Sequence, residues 1–464
     1  PLDPAILQRA VHGMSSFYLT KLDLTKLKVL GDQDVIRGIE NSEPINTHTS
    51  PGIPYVWDRF PGKPAGKRHY LDYNEQGDIV LFSDTLRTDY RALDDNIRKG
   101  IIPPMQMYEF PKDELRPREK ALGSADSPQK TRTISVFPMT MSMAYRKYFM
   151  SFDSQVRSWA DGDFPICVGM NPHSISWTAL YNRLRKTSET GIDADIGNWD
   201  GHWTSQLAYA YLEVISHCYN NAHFKTCTAC CPELGYMCPV LDADNLARCS
   251  IFEFNLFGHF QFLNMVCQKQ RGMSSGFGGT ADVNSGSHLL LLYTCYLSAL
   301  PDNPELWPFQ EFLEFCASGL YGDDLVLALA NYIQDRFSYA YYVNFMTSHG
   351  WPITSGSKSK DIIPQPIDLL TFLKMTFKCA GTAPIMYAAL SLKTVDDMLH
   401  WNKTSQVPFT QFFTNITLAM EYLFSHGPGK YNEYRLRLMK ALKECGRHHY
   451  VLTYSEMKCI MLDR

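Results

Sequence analysis

No stretch of this sequence stays apolar long enough to cross a bilayer. The longest strongly apolar run, Leu289 to Leu300, falls well short of the roughly 20 residues a spanning helix needs. A secretory signal is also missing, so Asn402-Lys-Thr and Asn415-Ile-Thr are chance matches to the glycosylation pattern. Low-complexity tracts and internal repeats are absent, which excludes disordered and solenoid classes. Without a long Gly/Ser or Pro run to separate domains, the expectation is lobes that interleave rather than beads on a string. Positive charge is not in excess either: the net charge is −4 and the pI about 6.4, so any contact with nucleic acid has to come from local basic clusters. Cysteine is not scarce, but thirteen is an odd number, and with no secretion signal this favours reduced thiols in an intracellular compartment over a disulfide framework.

What is present reads as an ordered globular chain. Its 464 residues, 45% hydrophobic and 20% charged, suffice for two or three domain-sized units. Pro1 in place of Met fits either release from a larger precursor or a trimmed chain. Apolar spacing predicts helix through AILQRAVHGMSSFYL and DVIRGI, ending at the turn-rich NSEPINTHTSPGIPY. Ile79 to Phe82 reads as a strand. From Asp195 to Phe377 strand-like and helix-like stretches alternate, and helix formers dominate beyond, as in EYRLRLMKALKEC. A mixed α/β centre with a helical C-terminal lobe follows.

The acidic residues carry the chemistry. Tyr321-Gly-Asp-Asp324 lies between the apolar runs EFCASGL and LVLALA, a hairpin pattern with Gly322 and Asp323 at the bend. Gly-Asp is also ordinary turn chemistry, so alone it proves little. A second pair, Asp195 and Asp200, stands at the end of a strand-like run in GIDADIGNWDGHW, and the neighbouring Asp193 shows how readily acids gather at a solvated strand end. Carboxylates brought together from separate strands repel one another unless a divalent cation neutralises them. The arrangement favours Mg²⁺ and a two-metal phosphoryl transfer.

Several motifs in one order narrow the reading. They run Thr49-Ser-Pro-Gly-Ile-Pro54; KDELRPREK from Lys112 to Lys120, then Lys130-Thr-Arg132; Asp195 to Asp200; Gly272-Met-Ser-Ser-Gly-Phe-Gly-Gly-Thr280 with Asn284; Tyr321 to Asp324; His349-Gly-Trp-Pro-Ile-Thr354 leading to Lys358; and Phe372 to Phe377. This series resembles the RNA-dependent RNA polymerases of picornaviruses and picorna-like positive-strand RNA viruses, and Trp199 before Asp200 is also similar to the calicivirus pattern. The resemblance implies an α/β (α+β) right-hand fold whose antiparallel palm sheet carries the YGDD hairpin. The expected division is fingers over 1–149, palm over 150–218, a Cys-rich fingers insertion over 219–269, palm again over 270–377 and thumb over 378–464.

It also implies roles. Asp195, Asp323 and Asp324 would hold Mg²⁺, with Mn²⁺ able to substitute, and Lys358 would be the general acid for pyrophosphate. Lys112, Arg116, Lys120, Lys130 and Arg132 would bind the nucleotide, although interspersed Asp113, Glu114 and Glu119 also suit a solvated charged face. Ser275 and Thr280 are nucleotide-side positions, and Asp200 and Asn284 would read the ribose. For Asn284 a helix cap is the plain alternative. Thr49, Ser50, Gly52, Gly276, Leu373 and Lys374 would contact RNA, with the glycine-rich loop free to approach template and nucleotide. The implied partners are template and nascent RNA, ribonucleoside triphosphates, a small tyrosine-bearing protein primer and other viral replication proteins. The implied place is the host cytoplasm, at membrane-associated replication complexes.

One stretch departs from the family pattern. Between Asp200 and Ser275 the chain is longer than expected and holds Cys218, Cys227, Cys230, Cys231, Cys238 and Cys249. Cys227-Thr-Ala-Cys230 has zinc-ligand spacing that Cys238 or His223 could complete, but no second Cys-x-x-Cys follows, so packed reduced thiols are the favoured reading. Two rival functions stand beside the polymerase. A replication scaffold has no need to keep Asp195, Asp323 and Asp324 together, and a reverse transcriptase is disfavoured by Asn284 paired with Asp200.

Overall fold

The computed structural model describes residues 1–58, 62, 66–77, 79–114, 118–124, 132–227, 238–356, 358–359, 361–379, 385–401 and 408–462, with the side chains of 119 and 120 excepted. These residues pack as two compact units, Pro1–Val156 with Asn198–Ser298, and Arg157–Gly197 with Ala299–Arg464.

In the first unit the predicted N-terminal helix spans Pro4–Lys21. Proline stands at its first position, and Asp3 caps it, its Oδ1 accepting from Ala5 N at 2.8 Å and Ile6 N at 3.2 Å. This helix packs on the Ser205–Thr226 helix, which in turn packs on the Pro239–Phe257 helix. A four-stranded sheet runs in the order Thr133–Val136, Gln106–Pro111, His259–Phe262, Met265–Gln268, and only its central pair is parallel. The apolar run noted above belongs to the Thr280–Ala299 helix. It is buried on every side from Asp282 to Leu297, which explains why its sequence is apolar all round. Among the described residues no helix is long and apolar enough to cross a membrane.

The second unit is built on an antiparallel sheet in the order Ile353–Thr354, Thr190–Ile196, Asp324–Leu329, Cys316–Tyr321, with Gln365–Pro366 also paired to Thr190–Ile196. The Ile175–Thr187 helix covers it. Trp177, Leu180 and Leu184 from that helix join Phe372, Phe377, Tyr387, Leu423 and Tyr431 in one apolar core, with Trp177 stacked on Phe377 at 4.7 Å between ring centroids. A ribbon of Met375–Cys379 and Met386–Leu390 leads into four helices, Leu392–His400, Pro408–Phe424, Gly427–Glu444 and Tyr454–Leu462, which form the expected helical C-terminal part.

Candidate active site

The hairpin forms as read. Tyr321 pairs with Asp324 across the two-residue loop Gly322-Asp323, and Gly322 has φ 63°, the positive value that the first position of such a loop favours in glycine. On the other side of the Asp324–Leu329 strand, Asp324 is in register with Asp195, so two carboxylate residues face one another directly across the ladder. Like charges in that position destabilise a sheet. The cost is visible at Asp324, whose pKa rises from 3.8 to about 6. Burial is the largest cause and the Asp195 charge the next; Asp193 adds to the rise, while Lys358 and Lys374 oppose it. Asp195 is largely buried and ion-paired to the Lys358 ammonium. Asp323 sits half-buried at the tip. Two strands and a turn bring three carboxylate residues to one end of the sheet, hard oxygen donors of the kind that suit Mg²⁺ or Mn²⁺, although their ligand atoms do not all lie within 4.8 Å of one another.

Asp193, set aside in the sequence as an ordinary strand-end acid, organises what surrounds this set. It lies two residues before Asp195 and therefore on the same face of the strand. Buried, it accepts hydrogen bonds from Gly356 N at 3.0 Å, Thr371 N at 2.8 Å and Gln365 Nε2 at 3.4 Å. Glycine at 356 permits this approach, since a Cβ there would lie 3.0 Å from Asp193 Oδ2. Two residues beyond each backbone donor the chain turns sharply. Lys358 has φ 66°. Phe372 and Met375 exchange backbone bonds of 2.8 and 2.9 Å around Leu373 and Lys374, at φ 53° and 65°. That is the backbone of a type I′ turn without the Asn or Gly it prefers, and such strain collects at functional sites.

In the first unit Asn284 donates from Nδ2 to Asp200 Oδ1 at 3.1 Å, and its own Oδ1 is buried without a hydrogen-bond partner. The helix containing it begins at Thr280, so the cap alternative is overturned: Asn284 stands inside the helix, and its amide faces a carboxylate. Burial raises the Asp200 pKa, against the hydrogen bond from Asn284 and the charges of Lys269 and Arg132. Lys269 was missed in the sequence. Burial brings its pKa down to about 8, and it donates to Gly272 O at 3.0 Å and Ser274 Oγ at 2.6 Å. Asp200, Lys269, Glu109, Ser135 and Ser275 line one open pocket.

Other expected site residues hold local partners. Arg132 grips the Glu114 carboxylate through two nitrogens, Nε at 2.9 Å, and Lys112 Nζ lies 3.6 Å from the same group. The sequence read Glu114 only as an interspersed acid. Arg116 and Lys130 lie outside the described residues, as does the side chain of Lys120. Ser275 Oγ accepts from Ser135 N at 3.1 Å. Gly276 packs closely against its own protein, where a Cβ would lie 1.8 Å from Ser135 O. The single Thr280 hydroxyl proton is shared between Ser274 O at 3.0 Å and Phe277 O at 2.7 Å, so it braces the loop. Thr49 is exposed with its hydroxyl donating to Asn46 O at 2.9 Å; Gly52, at φ 72°, donates its N–H to Ser50 Oγ at 3.3 Å.

A paired-carboxylate hairpin on an antiparallel sheet is the central feature of right-hand polymerases, and the fold matches one throughout. The structure titled Sicinivirus 3Dpol RNA dependent RNA polymerase superposes with a TM-score of 0.72 over 98% of this chain and 85% of that one, at 19% identity. The family model described as viral RNA-dependent RNA polymerase matches residues 3–443, and this chain belongs to that family. Similar sequences lie in the replicase polyproteins of Drosophila C virus (strain EB), 24% identical over 97% of this chain and 25% of that protein, and of cricket paralysis virus, 26% identical over 94% and 24%. The RNA1 polyprotein of grapevine fanleaf virus is 28% identical over 87% of this chain and 16% of its own length. The chain thus spans a quarter or less of these relatives.

Proposed function

We propose that this chain extends RNA on an RNA template, joining ribonucleoside monophosphates from their triphosphates and releasing pyrophosphate, in replication of a positive-strand viral genome. The observation that carries the reading is Asp324 in register with Asp195 beside the Gly322-Asp323 tip. In the reaction a 3′-hydroxyl oxygen bonds to the α-phosphorus, the bond to pyrophosphate breaks, and the hydroxyl proton passes to solvent. Two divalent cations, when bound, neutralise charge on the attacking and leaving oxygens. Asp195, Asp323 and Asp324 would hold them.

Lys358 would give its proton to the departing pyrophosphate. Its ion pair with Asp195 supports this by keeping the ammonium beside the carboxylates, and it also means that Lys358 must let go of Asp195 to act. Arg132 would exchange Glu114 for a nucleotide phosphate, a charge-assisted contact of the same geometry. Asp200 and Asn284 would read the sugar: the amide nitrogen is committed to Asp200, and the unpartnered Oδ1 is left to accept from a 2′-hydroxyl. A small protein primer, other viral replication proteins and a cytoplasmic, membrane-associated setting belong to the same proposal by family likeness.

The test is ribonucleotide incorporation on an RNA template. The parental chain should elongate with Mg²⁺, and Asp323→Ala should leave the fold intact while abolishing addition, because a metal ligand is gone. Elongation by the variant near the parental rate would remove Asp323 from the metal site. Incorporation of deoxyribonucleotides alone would move the assignment to a reverse transcriptase.

A further inference from the structure

We propose that His223, Cys227 and Cys238 form a zinc site in the cysteine-rich stretch. One ligand atom from each, the imidazole nitrogen and two Sγ atoms, lie within 4.8 Å of one another, and all three residues are half-buried. Tetrahedral zinc holds sulfur at about 2.3 Å and nitrogen at about 2.0 Å, which sets its ligand atoms about 3.5–3.8 Å apart, so a small contraction of the cluster completes the fit.

The positions are fixed by secondary structure. His223 lies in the last turn of the Ser205–Thr226 helix, and Cys227 is its C-terminal cap, with Cys227 N donating to His223 O at 2.8 Å. Four residues apart, the two side chains share one helix face. Cys238 stands at the N-cap of the Pro239–Phe257 helix. Sequence spacing alone favoured packed thiols because the Cys-x-x-Cys had no distant mate. Cys230 and Cys231 lie outside the described residues, and the fold instead places Cys238 beside Cys227 and His223.

The donor set selects the metal. One imidazole and two thiolates are the soft and borderline ligands of zinc, and they discriminate against the Mg²⁺ assigned to the hard carboxylates. Binding displaces two thiol protons and joins two helices that pack on each other. Three protein donors leave the fourth position to a further ligand or to water.

The full chain, purified without chelator, should carry about one zinc. The zinc should persist in an Asp323→Ala background, which separates this site from the carboxylates, and fall at least tenfold in Cys227→Ser and Cys238→Ser but not in Cys267→Ser. If the serine variants fail to fold, X-ray absorption on the parental chain decides, with two sulfur neighbours expected at the zinc. Cobalt added to the metal-free chain should give a thiolate charge-transfer band. No stoichiometric zinc and no cobalt band, zinc retained by both serine variants, or a Cys227–Cys238 disulfide as the sole purified form would each overturn the site.

Discussion

At the residue scale Asp324 is the most exposed to a pH test. Its folded pKa, about 6, lies above the 3.8 of a free carboxyl, so folding favours the protonated form. Stability is then full below about pH 4, falls as pH rises toward 6, and stays reduced above it. In chelating buffer at pH 8, Asp324→Asn should raise the unfolding free energy by about 1–3 kcal/mol, with the gain vanishing near pH 4. Urea melts at the two pH values check this; an equal gain at both would mean that repulsion is not the cause. Asn284 is tested by substrate choice. Losing the bond proposed for it with the 2′-hydroxyl should cost about 1–3 kcal/mol, or roughly ten- to a hundredfold in ribose-over-deoxyribose preference. Competition between the two triphosphates reads it, and equal slowing of both would remove Asn284 from the sugar. Individual residues were legible where local pattern decided them, as at Gly322 and Asp323. Asp193 was not, because its hydrogen-bond donors lie 163 to 178 residues away and leave no mark on the strand itself.

Among the elements, the Phe372–Met375 turn offers a trade of stability against activity. Lysine at positive φ is strained by about 1–2 kcal/mol, while glycine there loses about 0.5–1 kcal/mol to unfolded-chain entropy. Lys374→Gly should therefore raise stability by about 0.5–1 kcal/mol, seen as a higher urea midpoint, yet slow primer extension by removing an ammonium that acts on Asp324. Undiminished extension would make the turn a plain connection. Elements were the most legible level: the Ile79–Phe82 strand and the hairpin stand where periodicity put them. The start of the Thr280–Ala299 helix was less so. Two glycines just before Thr280 read as a continuing loop, which set the helix start near Asn284, several residues late.

For the whole molecule, charge is the unresolved balance. On the proposed function, a chain with net charge −4 would have to bind RNA through local cations such as Arg132 and Lys374, against its overall field. RNA affinity should fall steeply with salt, with a log–log slope of about −0.7 for each phosphate neutralised on a single strand. Binding titrations across a salt series measure it, and a slope near zero would exclude an ionic mode. Composition argued mildly against this chemistry, and only the ordered motifs outweighed it. The pairing of Lys112 and Arg132 with Glu114 was not legible, because Glu114 meets Arg132 across a sheet the sequence does not display.

Asp193 also bears on mutational robustness. One buried carboxylate accepts from Gly356 and Thr371, the anchors of the loops that carry Lys358 and Lys374. Those loops can each vary at their tips, but they cannot lose their shared anchor one at a time. A change at Asp193 strands two backbone donors in a single step, and repair in one loop leaves the other unmended. The strand position that looked most ordinary in the sequence is therefore among the hardest in this unit to replace.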